Sequence, residues 1–378
     1  MPLRLRAIAL FALLATAACD DTPKVDPKDR AEGLYVKGTS EYLQGNFDQA
    51  LLSFNEMKKY APNDPRLPAA VGEIYLSMGQ YNDAITEFQA ALAIDPKRST
   101  TWSRIGFIQA QLGKLEDAQS SLRKAIALYP NDFNALEQLG EIHLKRGERD
   151  EAARHFTLAS QASPESMRPA LLLRAVDVLQ QDRKHEDALA LLLKSAAQGV
   201  RSADVLTALG DELVRAGRLD EASGAYREAA TKAPKDPSLW ELVGEIYASQ
   251  GKSADALTAY RESLRVKDRA IVHVAMARVH LSREDRKAAE EELNLALASV
   301  SGSDVRELTE LSSLLVSFNR KPDALRILSN LAAEPDNAKD VDLQLRTARL
   351  AREMKDEAVM KAACGRVKAK DAGGVSCP

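Results

Sequence analysis

Residues 72–96 read GEIYLSMGQYNDAITEFQAALAIDP, and the same order of small, aromatic and proline positions returns along most of the chain. Aligned on Ala84, the motif gives a ladder of alanines: Ala50, Ala84, Ala118, Ala152, Ala188, Ala222, Ala256, Ala289 and Ala324, with intervals of 34, 34, 34, 36, 34, 34, 33 and 35. Other positions move in step with it. Twelve residues earlier stand Gly38, Gly72, Gly106, Gly140, Gly210 and Gly244, and four residues later Phe54, Phe88, Leu122, Phe156, Leu192, Tyr226, Tyr260, Leu293 and Leu328. Pro62, Pro96, Pro130, Pro164 and Pro234 follow the alanine by twelve. A fixed period of this length is the signature of stacked supersecondary units, none of which can bury its apolar face alone.

Each residue type has a physical task in a pair of helices, A and B. Glycine and alanine let the two approach, and the aromatic fills the space beside them. Gly45, Gly79, Gly113, Gly147, Gly217 and Gly251, five before the alanine, supply the left-handed residue that ends helix A. Helix B is expected to start at the acid just before the alanine, as at Asp83, Asp117 and Glu151, where negative charge suits a helix N-terminus. Proline then stops helix B, and Asn63-Asp64-Pro65 or Lys235-Asp236-Pro237 restarts helix A. With Trp102 and Trp240 at the early tryptophan position, residues 31–338 resemble a tetratricopeptide-repeat protein. The resemblance implies an all-α solenoid of helix-turn-helix repeats, wound into a right-handed superhelix with a concave working face.

The ladder also suggests divisions. Repeats 1–4 fall in 31–166 and repeats 5–9 in 167–338. The fifth repeat departs most, with Val176 for the helix-A glycine and Arg183 for the loop glycine; Glu284 and Asn319 replace the loop glycine in repeats eight and nine. Ala358, 34 after Ala324, points to a final helical pair, and 339–378 reads as a cap and tail.

Residues 1–18 are expected to be a signal peptide: Arg4 and Arg6, an apolar run from Ala7 to Ala15 too short to span a bilayer, then small residues. The run Thr16-Ala17-Ala18-Cys19 resembles the lipobox of bacterial lipoproteins, which implies lipidation of Cys19; Thr16 stands where that family usually has Leu. An ordinary secretory cut near Ala17 or Ala18 is the alternative. Residues 19–30, rich in charge and proline, are expected to form a flexible tether. Export would place Cys364 and Cys377 where disulfides persist. A bridge between them would be worth ~3 kcal/mol by loop entropy; two inert thiols are the alternative.

Composition narrows the function. The chain has 378 residues, a formal charge of −3 and only 5% aromatics, with Lys and Arg dispersed, so it offers no electrostatic footprint for nucleic acid. Phosphate-loop, dinucleotide, zinc-protease and serine-hydrolase motifs are absent, and no cofactor, metal site or small-molecule substrate is expected. His143 and His280, nine before the alanine, read as core positions; His155, His185 and His273 stand singly.

One polar column stands out. The residue after the helix-A glycine position reads Glu73, Glu141, Asp177, Asp211 and Glu245, and Glu137 and Glu241 lie a turn earlier. Such a wall would attract a basic or amphipathic segment and reject acidic tails; an ordinary solvated face is the alternative. The Lys and Asn with which related repeats clamp chaperone C-termini are replaced by Tyr35 and Thr39, Ala69 and Glu73, Ser103 and Phe107. The reading is a non-enzymatic scaffold, anchored in the bacterial envelope and facing the periplasm, for pilus, secretin or secretion subunits. By layout it is similar to the tetratricopeptide lipoproteins of tight-adherence pilus assembly. A scaffold for exopolysaccharide export or cell-wall enzymes is the alternative. An enzyme is disfavoured, because 340–378 is too short for a catalytic core.

Overall fold

The computed structural model describes residues 26–300 and 304–367. The expected signal peptide, Cys19 and Cys377 lie outside them. Among the described residues there are helices and no strands, and no helix is long and apolar enough to cross a membrane.

The chain divides into two compact units, after Met167. Among the described residues the first holds four hairpins: α1 Pro27–Leu43 with α2 Phe47–Met57, α3 Arg66–Ser77 with α4 Tyr81–Ile94, α5 Ser99–Gln111 with α6 Leu115–Leu128, and α7 Phe133–Lys145 with α8 Arg149–Ala162. The second holds six among its described residues: α9 Arg168–Gln181 with α10 His185–Ala197, α11 Ala203–Arg215 with α12 Leu219–Lys232, α13 Pro237–Ser249 with α14 Ser253–Val266, α15 Ala270–Ser282 with α16 Arg286–Ser299, α17 Val305–Ser317 with α18 Lys321–Ala333, and α19 Val341–Glu353 with α20 Glu357–Arg366.

One junction builds every hairpin. At the end of α1 the Gly45 N–H donates to the Tyr42 carbonyl and the Asn46 N–H to that of Glu41, with Gly45 at φ 78°. This pair of bonds is the Schellman closure of a helix end. The Asn46 carbonyl then accepts the Ala50 N–H, so the residue that closes helix A also opens helix B. Helix B therefore starts two residues before the expected acid, and Asp83, Asp117 and Glu151 sit within its first turn, where they still face the positive end of the dipole. The same closure forms where glycine is missing: Arg183, Glu284, Asn319 and Lys355 take φ of 58–61°.

Core packing follows the repeat. The nine anchor alanines, Ala50 through Ala324, are fully buried. A Cβ added at Gly72 would lie 2.8 Å from the Phe88 ring, closer than atoms can approach, so the small residue and the ring are a matched pair. Where helix A carries more bulk, helix B carries less: Val176 with Leu192, Ala277 with Leu293 and Ser312 with Leu328, all buried. At these three crossings the extra bulk on helix A is offset by the smaller residue on helix B, whereas Gly106 opposite Leu122 combines the two small choices.

Two boundaries differ from expectation. Asp26 caps α1 by accepting the Lys28 N–H and Pro27 opens the helix, so the stretch expected as tether up to residue 30 is helical from Pro27. In the last hairpin the left-handed residue is Lys355, which makes Met360 the equivalent of the anchor; Ala358 is exposed, and Ala348 fills the glycine position. The closing junction, not the alanine, sets the register. Cys364 lies on α20 and is disulfide-bonded.

Candidate protein-binding surface

The first helix of each hairpin carries the expected acidic column, and the two units present it differently. In the first unit Glu73 on α3 accepts the Arg104 Nε of α5 at 2.7 Å, which neutralises it. Glu137 and Glu141 lie half-buried on α7. The cleft across α1, α3 and α5, about 200 Å³, has Glu73 as its one carboxylate and Arg66, Arg98 and Arg104 as cations, with Tyr35 and Tyr42 on its wall. The expected acidic wall is therefore absent from this cleft, because the sequence reading followed one position per repeat and overlooked the arginines of the next helix.

The second unit keeps acidic character. Asp177 on α9 is exposed and Glu245 on α13 lines two clefts, and neither makes an ion pair among the described residues. Glu241 is held by both of its oxygens on Arg269 Nη1 at 2.7 and 2.9 Å, and burial nonetheless raises its pKa. Asp211 accepts the Tyr226 hydroxyl at 2.5 Å; burial and then this carboxylate push the phenol far above its usual range, so it stays a donor. One cleft, about 830 Å³, lies between α9, α11 and α13 and holds Asp211, Glu212 and Glu245 against Arg215. The other, about 600 Å³, spans α13, α15 and α17, with Glu245, Asp304, Glu307 and Glu310 outnumbering Arg278 and Arg306 once Glu241 and Arg269 are paired. Glu212 is buried and is met by Gln180 at 2.8 Å and His185 at 3.2 Å.

The histidines correct the sequence reading in part. His143 is buried, but polar: its Nδ1 is 2.5 Å from Glu148, and its ring stacks on His155 at 4.9 Å and 17°. Antiparallel packing brings together positions nine before and three after the anchor alanine, which also joins Glu41 to Ser53 at 2.6 Å and Gln109 to Ser121 at 2.7 Å. That pairing was readable from the ladder. His273 is buried between two carboxylates, Glu292 at 2.6 Å and Asp268 at 3.0 Å. Among the described residues no group of three or more His, Cys, Asp or Glu side chains is placed to hold a metal.

Each of these grooves sets an aromatic ring of a second helix, Phe54 and Phe88, Tyr226 or Tyr260, beside charged side chains of the first helices. A family model described as tetratricopeptide repeat matches residues 103–166, 173–237 and 207–271, and a second, TPR repeat, matches 72–113. The chain is a tetratricopeptide-repeat protein. Arrays of this kind are typically non-enzymatic scaffolds that bind protein partners. The chain is similar to a cell division cycle protein 27 homolog from Caenorhabditis elegans, 26% identical over 99 residues, a match spanning 26% of this chain and 13% of that protein. Among solved structures it is similar to a tetratricopeptide repeat protein from Parabacteroides merdae, with 17% identity, coverage of 75% of this chain and 98% of the other, and a TM-score of 0.37. The MamA protein from Desulfovibrio magneticus is similar at 20% identity, covering 44% and 93%, with a TM-score of 0.38.

Proposed function

We propose that this tetratricopeptide-repeat protein is a lipid-anchored scaffold of the bacterial envelope, which faces the periplasm and holds subunits of a pilus or secretion machine during assembly. The observation that supports it most is the conjunction of an export-like leader ending at Cys19 with repeat hairpins whose first helices present open, charged clefts. Two acyl chains on Cys19 would bring the clefts to the membrane surface, where machine subunits emerge, and raise their effective concentration.

An affinity pull-down from crosslinked native membranes, with wild type and Cys19→Ser compared by mass spectrometry, tests the reading. Pilus, secretin or secretion subunits are expected with the wild type and should be lost when Cys19 cannot be acylated. Recovery of polysaccharide-export or cell-wall enzymes, or of the same set without the lipid, would overturn the assembly role.

A further inference from the structure

The two units place an arginine at the same repeat position and treat it differently. Arg98 and Arg269 both stand twenty residues before their anchor alanines, Ala118 and Ala289, and each opens the first helix of its hairpin without a side-chain cap. In the second unit the chain satisfies this end itself. Glu241 of the preceding hairpin grips Arg269, and Glu307 of the following hairpin accepts the Ile271 N–H at 2.9 Å, capping α15 from outside.

In the first unit both carboxylates are gone. The position of Glu241 is occupied by Ala69, which lines the cleft, and that of Glu307 by Ala135, which is buried. Arg98 makes no ion pair among the described residues; Asp64 feels its charge but is hydrogen-bonded to Arg66, and the Arg98 Nε is buried with no hydrogen-bond partner. The other cations of the cleft are already matched: Arg66 is held by Asp64 and Glu32, and Arg104 by Glu73. A guanidinium N–H removed from water without an acceptor is costly to the free protein and is the group that gains most when a carboxylate arrives.

We propose that the cleft across α1, α3 and α5 is a docking site for an acidic segment of a protein partner, one carboxylate of which bonds Arg98 and caps α5 where Ala69 leaves room. The partner does in the first unit what Glu241 and Glu307 do in the second. The Tyr35 and Tyr42 rings beside the cleft supply apolar contact for the flanking residue. This site takes the charge opposite to that suited to the second unit's clefts. The proposal rests on the reading of the array as a protein-binding scaffold, but not on which machine it serves.

The test is fluorescence anisotropy on the full chain in detergent, with a fluorescein-labelled, C-terminally amidated peptide alternating Glu and Leu, and a Lys and Leu peptide as the control. The acidic probe is expected to bind, and Arg98→Gln to weaken it roughly tenfold, the loss of one charge-assisted bond. Ala69→Glu restores the internal partner and should block the probe as strongly while leaving the melting temperature unchanged or higher, which separates occupancy from misfolding. Lys361→Gln, which removes an exposed cation on α20 away from the clefts, should leave the acidic probe's affinity unchanged. Equal binding of both peptides, an unchanged affinity in Arg98→Gln and Ala69→Glu, or displacement by millimolar inorganic phosphate alone would overturn the proposal, the last by showing a simple anion site.

Discussion

Gly72 and Lys355 show how the same fold treats a fit and a misfit. Gly72 has no room for a Cβ against Phe88, so Gly72→Ala must push the ring or part the helices and should destabilise by about 1–3 kcal/mol in chemical denaturation. Lys355 instead carries a Cβ at φ 60°, a conformation costly to L-residues and free of that cost for the achiral glycine. Lys355→Gly should therefore stabilise by roughly 0.5–1 kcal/mol, after the greater chain entropy of glycine is deducted. A loss of stability in Lys355→Gly would mean that the lysine side chain contributes more than its backbone costs. Equal effects of the two glycine-related changes would contradict the register.

At the scale of the hairpin, two histidines couple packing to pH in opposite senses. Burial of His155, on α8 and stacked on the His143 ring of α7, lowers its pKa below the ordinary 6.5. Its contribution is full above that value and is lost as pH falls through the folded-state pKa. Burial also works against the His273 charge, but Glu292 and then Asp268 overcome it and raise the pKa. That contribution is full below 6.5 and is lost as pH rises through the raised value. Melting curves from acid to mildly alkaline pH should show His155→Gln closing its gap to wild type, or exceeding it, only in acid, whereas His273→Gln costs most in acid and least at alkaline pH. Parallel curves for wild type and both variants would remove the linkage.

Across the whole molecule, a repeat array gains stability from each hairpin and its neighbours, so damage should stay local. Ala118 is fully buried at the α5 and α6 crossing, and Ala118→Trp should speed amide exchange in α5 and α6 and in the adjoining hairpins of the first unit. Exchange in α17 to α20 should not change, and Lys114→Ala, at an exposed turn without a side-chain cap bond, should change nothing. Uniform acceleration along the chain would show a single cooperative unit instead.

The repeat ladder by itself determined the helical class, the hairpin count to the ninth repeat and the identity of the buried positions, because each rests on residue type at fixed spacing, and local sterics answer to residue type directly. Tertiary structure decided what spacing along one chain cannot express. The closing junction at Lys355 moved the last register from Ala358 to Met360, since ten similar backbone turns constrain φ more strongly than one alanine does. The charge of the clefts likewise depends on neighbours about thirty residues apart: Arg104 cancels Glu73, Arg269 cancels Glu241, and Ala69 leaves Arg98 without either service. An acidic column read one position at a time could not foresee that, because electrostatics sums over everything within reach of the side chain and not over the repeat position alone.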